Sequence, residues 1–239
     1  MKNLHKLLVF VCIFVGINVS FAQDSLRQRH LIFKVTPLTI VDIDNTFQVA
    51  VEHSLTKSKH WSLTEEFGYG KANANFWGNI YDYSSFRENF RVRLEARKYQ
   101  KTAPDLTGRY FAYELFYKQV NDRMNRSVGR ECESGPCNYY EKLDYSVSKY
   151  VVGGTGKIGY QIRLKDEDKK KTNFIFDFYA GLGLRRIMID HRVDGTIQNN
   201  FFFFGGNDSL FANDGLGYKD KAYNIPHLAF GIKFGYFIF

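Results

Sequence analysis

Proline, methionine and cysteine are all scarce in this chain: four, three and three among 239 residues. Long apolar runs are scarcer still. The one continuous run, Leu7 to Val19, is shorter than the roughly 20 residues a spanning helix needs, and nothing after it reads as a transmembrane helix. Few prolines, 20 glycines and an aromatic share of 17% suit strands better than helices. The formal charge of +8 is modest and spread along the chain, which does not fit a nucleic-acid surface.

Lys2 and Lys6 precede the apolar run, and Ser20 and Ala22 close it. This is the layout of a secretory signal peptide over residues 1–22, cut after Ala22. Loss of Lys2 and Lys6 would lower the excess to +6, and residues 23–239 read as one domain without repeats or linkers. An exported chain meets an oxidising compartment. Cys132 and Cys137 in "CESGPC", with a turn at Gly135-Pro136, are therefore expected to form a small disulfide loop. Zinc is the poorer reading, because a lone cysteine pair without nearby histidine lacks four ligands. No cofactor is expected.

What the chain has in quantity is alternation. In "NFRVRLEARKY" the apolar residues Phe90, Val92, Leu94 and Ala96 alternate with Arg91, Arg93, Glu95 and Arg97. The same period of two marks "HLIFKVTPLTI", "TFQVAVEHSL", "HWSLTEEFGY", "RYFAYELFYKQ", "KYVVGGTGKIGYQIRL", "NFIFDFYAGLGL" and "HLAFGIKFGYFIF". Eight strands are expected. Pro37 should bend or bulge the first, since it lacks a ladder donor. Glu65 falls on the apolar side of the third, and a bulge at Glu65-Glu66 would restore the phase. Three long connections, Gly70 to Ser85, Asn121 to Ser146 and Asp190 to Tyr223, are expected to share one end of an up-and-down barrel.

The two faces decide the surroundings. Strands four to eight place over 20 large apolar side chains on one face. An eight-stranded barrel is only wide enough to be filled by side chains, and that many would overpack it. The other face offers Gly153, Thr155, Lys157, Gly159 and Gln161 on strand six, with Gly181, Gly183, Gly231 and Gly235 on the last two. Small and charged residues suit a narrow lumen. The pattern therefore predicts an all-β, eight-stranded antiparallel up-and-down transmembrane barrel, apolar outside and polar inside. Closure is required because unpaired backbone groups are costly in hydrocarbon. Arg91, Arg93, Arg97, Lys157, Arg163 and Lys233 are the candidate lumen cations, with Glu95, Glu114 and Asp177 as their partners. Tyr69, Tyr99, Tyr110, Tyr117, Tyr150 and Tyr236 are expected at headgroup level.

With its leader, eight alternating strands, "FYAGLGLR" and "LAFGIKFGYF", the chain resembles the small outer-membrane β-barrel proteins of Gram-negative bacteria, in particular uncharacterised ones. The resemblance implies residence in the outer membrane, contact with its lipid, and delivery by the barrel-assembly machinery. That machinery reads a terminal signal, here Phe234, Tyr236, Ile238 and Phe239, although Phe239 falls out of phase with the other three.

A structural or surface-interaction barrel with a plugged lumen is the leading expectation for function. A soluble exported barrel holding an apolar ligand and a lipid-modifying enzyme are the alternatives. The enzyme would use His191 beside Asp190, Ser209, His53 or His227, but no spacing selects a triad, so the chain is read as a non-enzyme. Arg123, Arg126 and Arg130 are candidates for contact with anionic lipopolysaccharide headgroups.

Overall fold

A computed structural model describes residues 30–40, 45–55, 60–71, 87–100, 106–131, 137–165, 171–192, 196–197 and 222–238. Their strands are β1 (Leu31–Val35), β2 (Phe47–Ser54), β3 (Trp61–Lys71), β4 (Glu88–Tyr99), β5 (Gly108–Arg130), β6 (Tyr139–Lys165), β7 (Lys171–His191), β8 (Thr196–Ile197) and β9 (Ala222–Phe237). Every pairing is antiparallel. Chain neighbours pair from β1 to β7, β7 pairs β9, and β9 returns to β1, so eight strands form a closed ring.

The register measures how the ring is wound. From Ile32 the paired row runs through Glu52, Thr64, Glu95, Glu114, Thr155 and Gly183 to His227, ten residues from Phe237, the β9 partner of Ile32. Such a stagger requires inclined strands, by about 35–45° in closed sheets.

The alternation survives folding in every strand of the ring. Phe111, Tyr113, Leu115, Leu182, Leu184 and Phe230 project outward and are exposed. Lys34, Glu52, Arg97, Lys157, Asp177 and Lys233 project inward and are buried. The interior is therefore ionic at mid-height, with apolar clusters on either side of the charges.

Several expectations need correction. Pro37 does not bend β1. The strand stops at Val35, and Pro37 opens a 3-10 turn, Pro37–Ile40, where its fixed φ and missing N–H cost little. No bulge occurs at Glu65-Glu66. The registers with β2 and β4 run unbroken through both residues, so Glu65 stays outward and Glu66 inward.

Residues 121–146 are not one long connection, because β5 continues to Arg130 and pairs with β6 from Tyr139 onward. Beyond Asn121, where pairing with β4 ends, β5, β6 and β7 extend past the ring as a sheet, joined by β8 at Val128 and Gly129. Polar residues concealed these strand continuations, since Asn125, Arg123 and Lys142 do not read as strand. Tyr99 and Tyr110 are also corrected: both point inward and are buried, while Tyr69, Tyr117, Tyr150 and Tyr236 are on the outward face.

Candidate functional site

The ring interior is the densest concentration of chemistry in the fold. Its floor, at the end of the short connections, is apolar: Ile32, Tyr99, Leu106, Tyr110, Ala112, Ile175, Tyr179 and Phe237 form one buried cluster. Leu106 reaches it from the β4–β5 connection in a left-handed backbone conformation, φ 51°. A non-glycine residue there carries strain. Gln161 secures it by donating to the Leu106 carbonyl at 2.6 Å.

Above the floor lies an ion-pair network. Lys34 contacts Glu52 at 2.5 Å and Asp177 at 2.9 Å. Arg97 meets Asp177 at 2.7 Å through Nη1 and Glu95 at 2.5 Å through Nε. Lys157 joins Glu95, at 3.1 Å, to Glu114. Lys233 reaches Glu66 at 2.5 Å and Glu95 at 3.8 Å, and Arg93 also pairs with Glu66, at 3.3 Å. Five cations thus face five carboxylates, so the cluster is formally neutral. Hydroxyls fill further acceptor positions: Tyr110 donates to Asp177 at 2.6 Å and Tyr99 to Glu52 at 2.7 Å. The tyrosine rings also take cations on their faces, Arg97 over Tyr110 at 4.5 Å and Lys157 over Tyr179 at 4.4 Å. Such satisfaction is what makes buried charge tolerable.

Glycines make room for these rings. A Cβ at Gly231 would lie 2.5 Å from the Tyr179 hydroxyl, and one at Gly159 would collide with the Tyr110 ring. Inward glycine is therefore a packing requirement of a narrow interior crossed by tyrosines.

Of the sequence-predicted lumen residues, Arg93, Glu95, Arg97, Glu114, Lys157, Asp177 and Lys233 meet in this network. Arg91 is buried on the same face, nearer the long-connection end. Arg163 stands apart at the opposite rim, donating to the Thr172 carbonyl at 2.5 Å and lying over the Phe237 ring. Lys34, Glu52 and Glu66 were missed, although inward parity on the first three strands was a usable signal.

The remaining candidates are dispersed. His53 faces outward on β2. His227 is inward on β9 against the Phe116 ring, 4.8 Å between centroids. Asp190 is exposed near the end of β7, and Ser209 and the side chain of His191 lie outside the described residues. Cys132 lies outside them too, and with it the expected loop to Cys137. Residues 1–22 and Phe239 are also outside, whereas Phe234, Tyr236 and Ile238 are exposed on the outer face. Among the described residues, no group of three His, Cys, Asp or Glu side chains is placed to hold a metal ion.

The outer surface changes character toward the long-connection end. Tyr117 donates to Gln119, Gln119 to Asn121, and Ser148 to Asn121, each at 3.0 Å. Beside this ladder a polar cleft of about 460 Å³ is lined by Glu88, Asp122, Arg123, Ser146 and Arg192, among others. Arg123 and Arg130 do not cluster: Arg130 pairs with Glu141 at 3.1 Å, and the side chain of Arg126 lies outside the described residues. Compared with known proteins, the chain matches no family model, no curated protein and no solved structure.

Proposed function

We propose that the protein is an outer-membrane β-barrel of a Gram-negative bacterium, with a plugged lumen and a structural or surface-interaction role. One observation carries this reading: the ring is inside-out for water, with paired charges wholly buried and large apolar side chains exposed around the outside. Hydrocarbon rewards that arrangement and water penalises it. A ring also leaves no unpaired edge among its eight strands, as a bilayer demands.

Role follows from form. The floor and the ion-pair network occupy the lumen, so the interior serves stability and not transport. The working surface is then the extension of β5, β6 and β7 beyond the apolar belt, together with the long connections at that end. β6 has 27 residues, against roughly 9–11 needed to cross a bilayer. The excess forms a rigid platform outside the membrane, and a disulfide between Cys132 and Cys137 would brace its tip. Arg123 and Arg192 line the cleft just beyond the belt, where anionic lipopolysaccharide headgroups would lie.

An apolar-ligand carrier would need the opposite faces. A lipid-modifying enzyme would need a nucleophile within hydrogen-bond reach of a base, and the described His53 and His227 stand on opposite sides of the sheet. The test is fractionation with heat-modifiability. The mature protein should sediment with outer membranes and migrate faster unboiled than boiled. A soluble periplasmic protein with one mobility would overturn the proposal.

A further inference from the structure

The outer face of β6 carries a trough. Gly156 lies between Tyr113 on β5 and Leu182 on β7, and Leu228 on β9 follows in the same row. Tyr113 and Leu182 are 74% and 71% exposed, so the backbone between them sits at the foot of two tall walls. A Cβ at Gly156 would meet nothing nearer than the Leu182 carbonyl oxygen, at 4.0 Å. The hollow measures about 530 Å³ and runs on to Ala180, between Ile158 and Phe230. In the other direction it continues over Gly154, between Leu115 and Leu184.

Arg186 stands at the end of the trough toward the long connections. It projects outward and is exposed. Gly154 is its diagonal neighbour on β6, a spacing of about 7–8 Å in a sheet. Its row partners are Val152 and Asn224, and the other diagonal positions hold Tyr150, Ala222 and Pro226, so none of its neighbours brings a negative charge. Asp190, the next outward carboxylate on β7, is four residues further on, about 13 Å along a strand. A cation at the edge of an apolar belt calls for an anion, and guanidinium matches phosphate with two parallel N–H bonds. Beyond Arg186 the outward row of β6 turns polar, with Ser148 and Ser146 beside the Gln119–Asn121 ladder and its cleft. One strand thus borders an apolar trough, then a cation, then a hydrogen-bonding surface. These fit the parts of a phosphorylated glycolipid, acyl chain below and phosphate and sugar above. A second copy of this chain, docked here about a two-fold axis, would instead set like charges together.

We infer that the outer face of β5–β7 binds one lipopolysaccharide molecule at a defined place, with an acyl chain of its lipid A in the trough over Gly154 and Gly156 and a lipid A phosphate on Arg186. The inference rests on the barrel reading and specifies its lipid contact. Full-length mature protein, folded in detergent, is titrated with lipid A or with dimyristoylphosphatidylglycerol, and bound lipid is counted by native mass spectrometry. Wild type should hold one lipid A, about tenfold more tightly than phosphatidylglycerol. Gly156→Leu, which fills the trough, and Arg186→Gln should each weaken lipid A binding about tenfold. Val51→Phe enlarges the outer face of β2, across the ring, and should leave binding unchanged. All three variants should keep the heat-modifiable form. No preference for lipid A in wild type, undiminished binding in Gly156→Leu or Arg186→Gln, or an equal loss in Val51→Phe overturns the inference. Loss of heat-modifiability in wild type would instead strike the barrel reading, so the two failures are distinguishable.

Discussion

Lys34 on β1 meets Asp177 on β7 at 2.9 Å, although β9 lies between their strands. The contact crosses the lumen and links segments 143 residues apart. Arg97 and Tyr110 converge on the same carboxylate from β4 and β5. Asp177 thus ties four strands together, a role no backbone ladder can fill.

Replacing Asp177 with Ala should therefore be severe. It leaves Lys34 with Glu52, and Arg97 with Glu95 and the more distant Glu52, one carboxylate short in a buried site, and removing one partner of a buried ion pair costs about 3–5 kcal/mol. Urea unfolding of the reconstituted protein should show a clearly lowered midpoint. Asp177→Asn, which keeps the shape and some hydrogen bonds, should lie between Ala and wild type. An unchanged midpoint in Asp177→Ala would show that the network does not hold the ring.

Two glycines should respond in opposite senses. Gly231→Ala drives a methyl toward the Tyr179 hydroxyl at 2.5 Å, and overpacking of this kind costs about 1–3 kcal/mol. Gly156 is outward, with its nearest would-be contact, the Leu182 carbonyl oxygen, at 4.0 Å. Gly156→Ala should be neutral or stabilising by about 0.5–1 kcal/mol. Thermal loss of the fast-migrating unboiled form reads both. Equal effects at the two positions would contradict the assigned faces.

The ring and most of its charge network were legible in the sequence because period-two alternation specifies a face as well as a strand. Arg97, Lys157, Asp177 and Lys233 all occupy inward positions in phase with their neighbours. Lys34, Glu52 and Glu66 obey the same parity but lie on shorter or phase-ambiguous strands. The assumed repair at Glu65-Glu66 obscured two facts at once: Glu66 joins the network, and Glu65 faces outward. The upper parts of β5 and β6 were hidden for another reason. They lie beyond the apolar belt, so their residues are polar on one face and only modestly apolar on the other. Their strand state is set by mutual pairing from Asn121–Ser148 to Arg130–Tyr139, which local propensity does not encode.

Arg123 and Arg192 share the cleft beside the Gln119–Asn121 ladder. Joint replacement by Gln should reduce the lipopolysaccharide that co-purifies, as measured by phosphate content per barrel. Arg130→Gln provides the comparison, since Arg130 is paired with Glu141, and should change little. Equal retention in all variants would remove the cleft as a lipid contact.

The assignment of faces can be tested most directly by moving charge. Leu115 and Leu184 flank Gly154 on the outer face and are well exposed. In hydrocarbon, Leu115→Arg or Leu184→Arg should cost about 2–4 kcal/mol near the midplane. Phe47→Lys, at the end of β2 toward the long connections, should cost about 0–1 kcal/mol, because the group there can reach water. In a water-soluble ring the order would differ: exposed cations at all three sites would be harmless and would improve solubility. Folding free energies measured in bilayers, with the mature protein inserted, separate the two cases. A flat response across these sites would mean that the outer face does not meet lipid, whereas a cost that rises toward mid-belt would tie the exposed apolar surface to the bilayer by depth.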